Sequence, residues 1–136
     1  MLSHQERIRV RYGETDQMGY VYYGNYALYY EVGRVELLRS LGVAYSDLEK
    51  QGIGLPVLSF DIKYFKPAKY DDLITVKTSI TEKPTSRITF HYECYNESHV
   101  MLNAGKITLV FVSIETGKPI RCPESLENLF LSHFNE

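Results

Sequence analysis

One long stretch with helical periodicity, set among segments that alternate apolar and polar residues, constrains the fold of this chain most. The stretch covers residues 25–41, and its apolar and small residues at helical steps are Tyr26, Tyr30, Gly33, Leu37 and Leu41. Asn25 predicts the N-cap and Gly42 the C′ residue of a helix about 25 Å long. The spacing lets Arg34 and Arg39 face away from the apolar stripe.

Alternation at a period of two predicts strands on both sides of this helix. In residues 7–12 it places Ile8, Val10 and Tyr12 on the buried face of a strand. Three further segments show the same alternation with polar residues: Leu58, Phe60, Ile62 and Tyr64 in the first, Ile74, Val76 and Ile80 in the second, and Ile88, Phe90, Tyr92 and Cys94 in the third. The last strand, residues 103–114, is apolar on both sides and is expected to lie centrally or at an interface.

Two shorter segments predict further helices. Residues 45–51 can form a short second helix, and residues 123–134 a C-terminal one, with apolar residues Leu126, Leu129, Phe130 and Phe134. One long helix and five antiparallel strands predict an α+β domain over residues 1–136, in which the sheet curls around the helix. Because one face and one edge of such a sheet stay uncovered, and because Val110 and Val112 lie on that face, we expect a homo-oligomer, either a dimer or a tetramer.

Charge and cysteine content exclude several classes of protein. Fifteen Lys and Arg against seventeen Asp and Glu give a formal net charge of −2, which does not favour a nucleic-acid-binding domain. The N-terminus has no apolar core typical of a signal peptide, and no segment is long enough for a membrane span. Cys94 and Cys122 match no zinc spacing and are expected to be reduced thiols, as in the cytoplasm.

The glycine-rich loop of residues 13–25 is the candidate site. It leads into the amino end of the long helix, where free N–H groups and the helix dipole favour negative charge. Asp16 lies seven residues before Tyr23 and could act as base or nucleophile, while the amide of Tyr23 or Gly24 could hold an oxyanion. From spacing alone, Asp16 is more often a residue that forms a turn.

The residues of this loop carry a resemblance to a known family. The run Asp16–Tyr26, DQMGYVYYGNY, is followed by Tyr30, Glu31 and Arg34, and it resembles the signature of the 4-hydroxybenzoyl-CoA thioesterase family of hotdog-fold acyl-CoA thioesterases. Further resemblance to the second and third strands of the family lies in Leu55-Pro56-Val57, Tyr64-Phe65-Lys66-Pro67-Ala68 and Tyr70-Asp71-Asp72-Leu73. The resemblance therefore covers nearly the whole chain and implies the hotdog fold.

The resemblance also implies roles for two residues. Asp16 matches the catalytic carboxylate of the family, which attacks the thioester carbonyl or activates water, and the backbone N–H of Tyr23 matches the group that polarises the carbonyl oxygen. A tyrosine side chain is itself a poor base near neutral pH. We expect substrate contacts from Gly19, Val21, Gly24, Asn25, Tyr26 and Ser59. Met18 replaces a small residue of many relatives, which bears on pocket size.

Coenzyme A carries phosphates, so cations are expected near the mouth of the pocket. Candidates are Lys63 and Lys66 on one strand, and Lys83 and Arg87 near a hairpin, with Arg87 favoured at a subunit boundary. Each of them could equally be an ordinary solvated residue. Glu31 and Glu36 are more simply explained as salt-bridge partners on the helix. No histidine cluster predicts a metal, and no cofactor is expected.

The predicted function is hydrolysis of an acyl-CoA to a free acid and coenzyme A. The acyl group is expected to be small or medium-sized, with an aromatic group suggested by the Tyr-rich loop. Thioesters on acyl carrier protein and a non-catalytic acyl-CoA binding module are the alternatives. A hydratase or dehydratase is disfavoured because no histidine follows Asp16 until His91.

Overall fold

The computed structural model describes residues 1–134, so the last two positions of the predicted domain lie outside the described residues. Its strands are β1 (Leu2–Arg9), β2 (Ile53–Gly54), β3 (Val57–Tyr64), β4 (Leu73–Ile80), β5 (Arg87–Tyr95), β6 (Met101–Val110) and β7 (Val112–Ser113). Its helices are α1 (Asn25–Ser40), α2 (Tyr45–Lys50) and α3 (Glu124–Phe134), with a 3-10 turn at Tyr12–Glu14.

Five strands form one antiparallel sheet in the order β1-β4-β5-β6-β3, and β2 and β7 form a separate two-stranded ribbon. The predicted α+β class, with one five-stranded antiparallel sheet, one long helix and a C-terminal helix, is confirmed. The alternation seen in the sequence accounts for the burial pattern of β5, where every second residue from Ile88 to Cys94 is buried. These residues face α1, which lies across the inner face of the sheet.

Aromatic packing fixes α1 on the sheet. The ring of Tyr30 stacks on that of Tyr92 at 4.1 Å, and its hydroxyl donates a hydrogen bond of 2.5 Å to Asn103 Oδ1 on β6. Gly33 faces β4 so closely that a methyl group there would overlap Thr78 Oγ1. The stripe predicted from the helical spacing is therefore the buried face of α1, and Gly33 is required because the backbone of the helix approaches the sheet.

The ends of α1 differ in part from the prediction. The Gly42 prediction is confirmed: its φ is +87°, and bonds from Gly42 N to Arg39 O and from Val43 N to Leu38 O close a Schellman motif. The Asn25 prediction is wrong, because Gly24 occupies the N-cap position without a side-chain cap and Asn25 is the first helical residue.

Arg34 is buried rather than facing away from the core, with 8% of its surface exposed. It lies beside the phenols of Tyr45 and Tyr92, where its charge offsets part of the rise that burial causes in the pKa of Tyr92. The helical spacing places Arg34 next to the apolar stripe, where it could face solvent, but residues of α2 and β5 cover it. Among the described residues, Arg34 Nε and Nη1 have no hydrogen-bond partner.

The first and last strands begin and end earlier than predicted. The first ends at Arg9, and Tyr12, predicted to be buried, is 77% exposed because the chain turns into the 3-10 helix. The last is interrupted at Phe111, whose amide donates to Ser86 O, and it continues as β7 against β2. Val110 and Val112 are both half-buried.

Strand β3 lies at the edge of the sheet and is exposed along almost its whole length. A bulge between Val57 and Ser59 interrupts its pairing with β6. Large apolar side chains remain uncovered on and next to it: Val57, Leu58, Phe60, Tyr64 and Phe65.

The predicted C-terminal helix is confirmed as α3, with Leu126 and Phe130 buried. Within residues 1–134 no helix is long and apolar enough to cross a membrane.

Candidate active site

Asp16 begins a tight turn that returns the chain to the body of the protein at Tyr20. Its carboxylate oxygen Oδ1 accepts hydrogen bonds from the amides of Met18 at 2.9 Å and Tyr20 at 3.2 Å. Gly19 adopts a φ of +78°, which the turn needs and which glycine adopts without strain. Both bonds use Oδ1, so Asp16 forms the turn while its side chain stays exposed and its second oxygen takes no part in the turn.

An open cleft of about 330 Å³ lies beside this turn. Asp16 and Tyr23 both line it. The other lining residues are Tyr20, Val21, Tyr26, Tyr64, Phe65, Lys66 and Pro67. The wall is thus formed by the loop, the first turn of α1 and the end of β3, and it is aromatic with one carboxylate and one ammonium group.

The amino end of α1 supplies free backbone donors at this cleft. Asn25 N donates to Tyr22 O, whereas the amides of Tyr23 and Gly24 have no hydrogen-bond acceptor within residues 1–134. Such N–H groups, at the positive end of the helix dipole, are suited to bind a carbonyl oxygen on which negative charge develops. Asp16 and Tyr23 line the cleft together, so a carboxylate and a residue with a free amide border the same space.

Two tyrosines of the cleft, Tyr26 and Tyr64, keep their protons at neutral pH. Burial raises the pKa of Tyr26 to about 12, and burial also raises the pKa of Tyr64. The two rings lie 5.7 Å apart. The Tyr26 hydroxyl accepts a hydrogen bond from Ala68 N at 3.3 Å, which anchors the far wall of the cleft. These phenols can donate hydrogen bonds to a substrate but cannot serve as bases.

The predicted binding residues divide into those at the cleft and those away from it. Val21 and Tyr26 line the cleft, and Gly19 and Gly24 lie in the loop that forms it. Asn25 donates its side-chain amide to Glu14 O at 2.8 Å and so supports the loop.

The strand residues of the predicted set do not line the cleft. Ser59 faces away from α1, opposite Thr108. Lys63 lines a neighbouring depression of about 320 Å³ together with His91 and Lys106. Phe65 borders both this depression and the cleft.

Two predicted cations are not brought to the cleft within one chain. Lys83 forms an ion pair of 3.4 Å with Glu127 on α3. Arg87 begins β5, at the opposite end from Cys94, a separation of roughly 23 Å at about 3.3 Å per residue. Cys94 pairs with Asn103, which in turn pairs with Tyr64 at the cleft. Lys66, by contrast, lines the cleft directly.

The sequence identified Tyr64, Phe65 and Pro67 only within a segment that resembles the family and did not place them at the site. Each follows or ends β3, and only the register of β3 against β6 brings this segment opposite the loop. Tyr20 lines the cleft and bridges to Lys69. Glu14 was also missed, although it contacts both the loop and α1, as described below.

Comparison with known proteins shows the family of the chain. Residues 10–130 match the Thioesterase-like superfamily. The chain belongs to this superfamily. YneP of Bacillus subtilis is 38% identical over 117 residues, 86% of this chain and 85% of that protein. The acyl-CoA thioester hydrolase YbgC of Escherichia coli is 29% identical over 119 residues, 88% of this chain and 89% of that protein.

A solved thioesterase structure has the same fold over the full chain. The DHNA-CoA thioesterase from Staphylococcus aureus superposes with a TM-score of 0.93 at 33% sequence identity, covering 100% of this chain and 97% of that one. The hotdog fold is therefore confirmed, and the protein is a thioester hydrolase.

Proposed function

We propose that the protein hydrolyses acyl-CoA thioesters of small or medium acyl groups, aromatic ones included, with Asp16 as the reacting carboxylate. The observation that carries the proposal is that Asp16 and Tyr23 line one cleft, at the amino end of α1. The names of YbgC and of the Staphylococcus aureus protein support coenzyme A as the thiol. The aromatic wall supports a flat acyl group, as in the 4-hydroxybenzoyl-CoA thioesterases that the loop resembles.

In one form of the reaction, Asp16 Oδ2 takes a proton from water as the water oxygen adds to the thioester carbonyl carbon. The carbonyl oxygen becomes an oxyanion that accepts a hydrogen bond from Tyr23 N–H, a contribution that is typically worth about 3 kcal/mol. The C–S bond then breaks, and the proton passes from Asp16 to the leaving sulfur. In the other form, Asp16 attacks the carbonyl carbon and the C–S bond breaks, which releases the thiolate and leaves a mixed anhydride. Water then hydrolyses the anhydride to the free acid and Asp16, and one proton of the water passes to the thiolate.

Asp16→Asn is a clean test because the amide oxygen of asparagine can still accept the bonds from Met18 and Tyr20 that form the turn. We expect thiol release from a panel of acyl-CoAs to fall by about 10²–10⁴-fold. Binding of an unreactive thioether analogue should persist. Asp47→Asn, an exposed aspartate on α2, is the matched control and should keep the wild-type rate.

The outcomes separate the alternatives. If Asp16→Asn releases thiol at the wild-type rate, Asp16 does not take part in the mechanism. If the protein binds acyl-CoAs but releases no thiol from any of them, a binding module is favoured. If it releases thiol only from acyl carrier protein thioesters, acyl carrier protein and not coenzyme A is the acyl donor. Tyr23→Phe keeps the backbone N–H and should stay within about threefold of wild type, whereas a large loss would assign the chemistry to the phenol.

For the phosphates of coenzyme A we propose Lys63 and Lys66, with Lys83 and Arg87 contributing from another subunit. The geometry supports the first two, which lie next to or in the cleft of the same chain. Removing one of these cations by an alanine variant should weaken acyl-CoA affinity, more at low than at high salt. An Arg87→Ala variant with unchanged affinity at every salt concentration would remove Arg87 from the set.

We propose that the protein is a homo-oligomer assembled through the edge of β3. An unpaired edge with five exposed apolar side chains on and next to it is unusual for a monomer. Sedimentation at micromolar concentration should give a dimer or tetramer, and Leu58→Lys should shift it towards monomer. Met18→Lys, at a residue that is also exposed but lies outside the edge, should not. A monomeric wild-type protein would contradict the proposal.

We also propose a cytoplasmic location. Cys94 and Cys122 are buried and free, which suits a compartment that keeps thiols reduced. Fractionation of cells that express the tagged protein should recover it with cytoplasmic markers, and recovery elsewhere would contradict the proposal.

A further inference from the structure

Glu14 lies two residues before Asp16, and its carboxylate is bound on both oxygens. Oε1 accepts hydrogen bonds from Arg11 N at 2.8 Å and from the Tyr29 hydroxyl at 2.9 Å. Oε2 lies 3.1 Å from Arg11 Nη2. Only 13% of the side chain is exposed. Such a set of charge-assisted bonds holds a side chain in one position.

The backbone carbonyl of Glu14 connects the same residue to the far side of the loop. It accepts hydrogen bonds from Tyr22 N at 2.9 Å and from Asn25 Nδ2 at 2.8 Å. The neighbouring residues Thr15 and Val21 form a β-bridge. The loop is therefore a small hairpin whose base is Glu14 and Tyr22, with Asp16 on one arm and Tyr23 directly after the other.

The contacts of Glu14 tie this base to α1. Tyr29 lies one turn into the helix and is buried, so its hydroxyl depends on Glu14 for a partner. Asn25 is the first residue of the helix. One residue thus holds the arm that carries Asp16, the arm that leads to Tyr23, and the helix whose amino end supplies the free N–H groups.

The state of the Glu14 carboxylate suits a structural charge. Burial raises its pKa, but the hydrogen bonds from Arg11 N, the Tyr29 hydroxyl and the Arg11 side chain outweigh burial, so the pKa lies below its ordinary value. Glu14 is therefore ionised at neutral pH. It does not line the cleft, so it does not reach a bound thioester.

We propose that Glu14 is a positioning residue, which sets the placement of the Asp16 carboxylate relative to the Tyr23 amide through its bonds to Arg11, Tyr22 and Tyr29. The inference rests on the proposed function, because it concerns the geometry of the same cleft. Hydrolysis needs the attacking oxygen and the oxyanion donor to fit one carbonyl group at once. A misplacement of about 1 Å can cost on the order of 10²-fold in rate.

Glu14→Gln tests the proposal, since glutamine keeps the shape of the side chain but turns an N–H group towards the Arg11 guanidinium. We expect kcat to fall by about 10–100-fold with KM within about threefold. Glu36→Gln is the matched control: Glu36 pairs with Arg39 at 3.2 Å on the same helix, outside the cleft, and the variant should keep the wild-type kcat. A Glu14→Gln enzyme with wild-type kcat would overturn the proposal.

The double variant with Asp16→Asn distinguishes positioning from general loss of folded enzyme. If Glu14 acts through Asp16, adding Glu14→Gln to Asp16→Asn should leave the residual rate, measured with enzyme in excess, within about threefold. A merely structural role would multiply the two losses and would overturn the inference. Should Glu14→Gln fail to fold by circular dichroism, Tyr29→Phe removes a single donor and should lower kcat by about 3–10-fold; no change would count against the proposal.

Failure of the proposed function can be distinguished from failure of the positioning role of Glu14. If Asp16→Asn alone keeps its activity, Asp16 is not the reacting group whatever the Glu14 variants show. If Asp16→Asn is inactive and Glu14→Gln and Tyr29→Phe are fully active, only the positioning role is lost.

Discussion

The close approach of α1 to the sheet at Gly33 leads to a prediction about stability. A methyl group on Gly33 would overlap Thr78 Oγ1 and lie 3.1 Å from Val76 Cγ1. Alanine is favoured over glycine inside a helix by about 1 kcal/mol, whereas overpacking a core costs about 1–3 kcal/mol. β4 is hydrogen-bonded on both sides and cannot retreat, so the cost falls in the upper part of that range. We expect Gly33→Ala to lower the free energy of unfolding by about 1–2 kcal/mol.

The second change in this test removes the obstacle. Thr78 Oγ1 is buried and has no hydrogen-bond partner within the described residues, so Thr78→Ala breaks no bond. In the Thr78→Ala background the methyl group that Gly33→Ala adds has room next to β4, and the favourable helix propensity of alanine remains. Gly33→Ala should then be within about 0.5 kcal/mol of neutral. The coupling between the two sites should be about 1–2 kcal/mol.

The stability of the wild type, the two single variants and the double variant is measured by urea unfolding. Far-UV circular dichroism follows the unfolding, because the chain has no tryptophan. Gly13→Ala is the control, because a methyl group there meets nothing within 4 Å, and it should change stability by less than about 0.5 kcal/mol. An equal loss from Gly33→Ala in both backgrounds would refute the reasoning. So would a Gly33→Ala protein that is more stable than wild type.

Three further predictions concern buried polar groups. Tyr30→Phe leaves the buried Asn103 carbonyl without its donor and should cost about 1–3 kcal/mol in urea unfolding, and adding Asn103→Leu should recover part of the loss. Burial raises the pKa of Cys94 to about 12 and that of Cys122 to about 11, so a thiol reagent at pH 8 should react slowly with native protein and rapidly in urea; fast native reaction would contradict the burial. Because the folded-state pKa of Glu14 is lowered, its stabilising contribution is complete above the ordinary value of 4.5 and is lost as the pH falls through the folded value. Glu14→Gln should therefore destabilise the protein more at pH 6 than at pH 3, and an equal loss at both would exclude an ionised Glu14.

Local patterns were sufficient for much of the fold. The stripe through Tyr30, Gly33 and Leu37 predicts the buried face of α1, because helical periodicity acts over a few residues and does not depend on distant contacts. Asp16 as a turn former was likewise readable, since a short side chain followed by Gly19 closes its own hydrogen bonds.

The same local reasoning was wrong at two residues. Arg34 is spaced as a solvent-facing residue, yet α2 and β5 cover it. Tyr12 continues the alternation of β1, yet the chain has already turned. The Arg34 error arises because periodicity states which residues share a side but not what later packs on that side. The Tyr12 error arises because alternation does not mark the residue at which a strand ends.

By itself the sequence determined the class of elements, their order and the loop that carries Asp16, since each of these follows from short-range spacing. Only the tertiary structure decided that the end of β3 forms the opposite wall of the cleft, through the pairing of Tyr64 with Asn103. It also decided that Glu14 bonds to Tyr29 across the loop. Register and side-chain reach depend on residues far apart in the chain, and their effect appears only when the sheet and helix have packed.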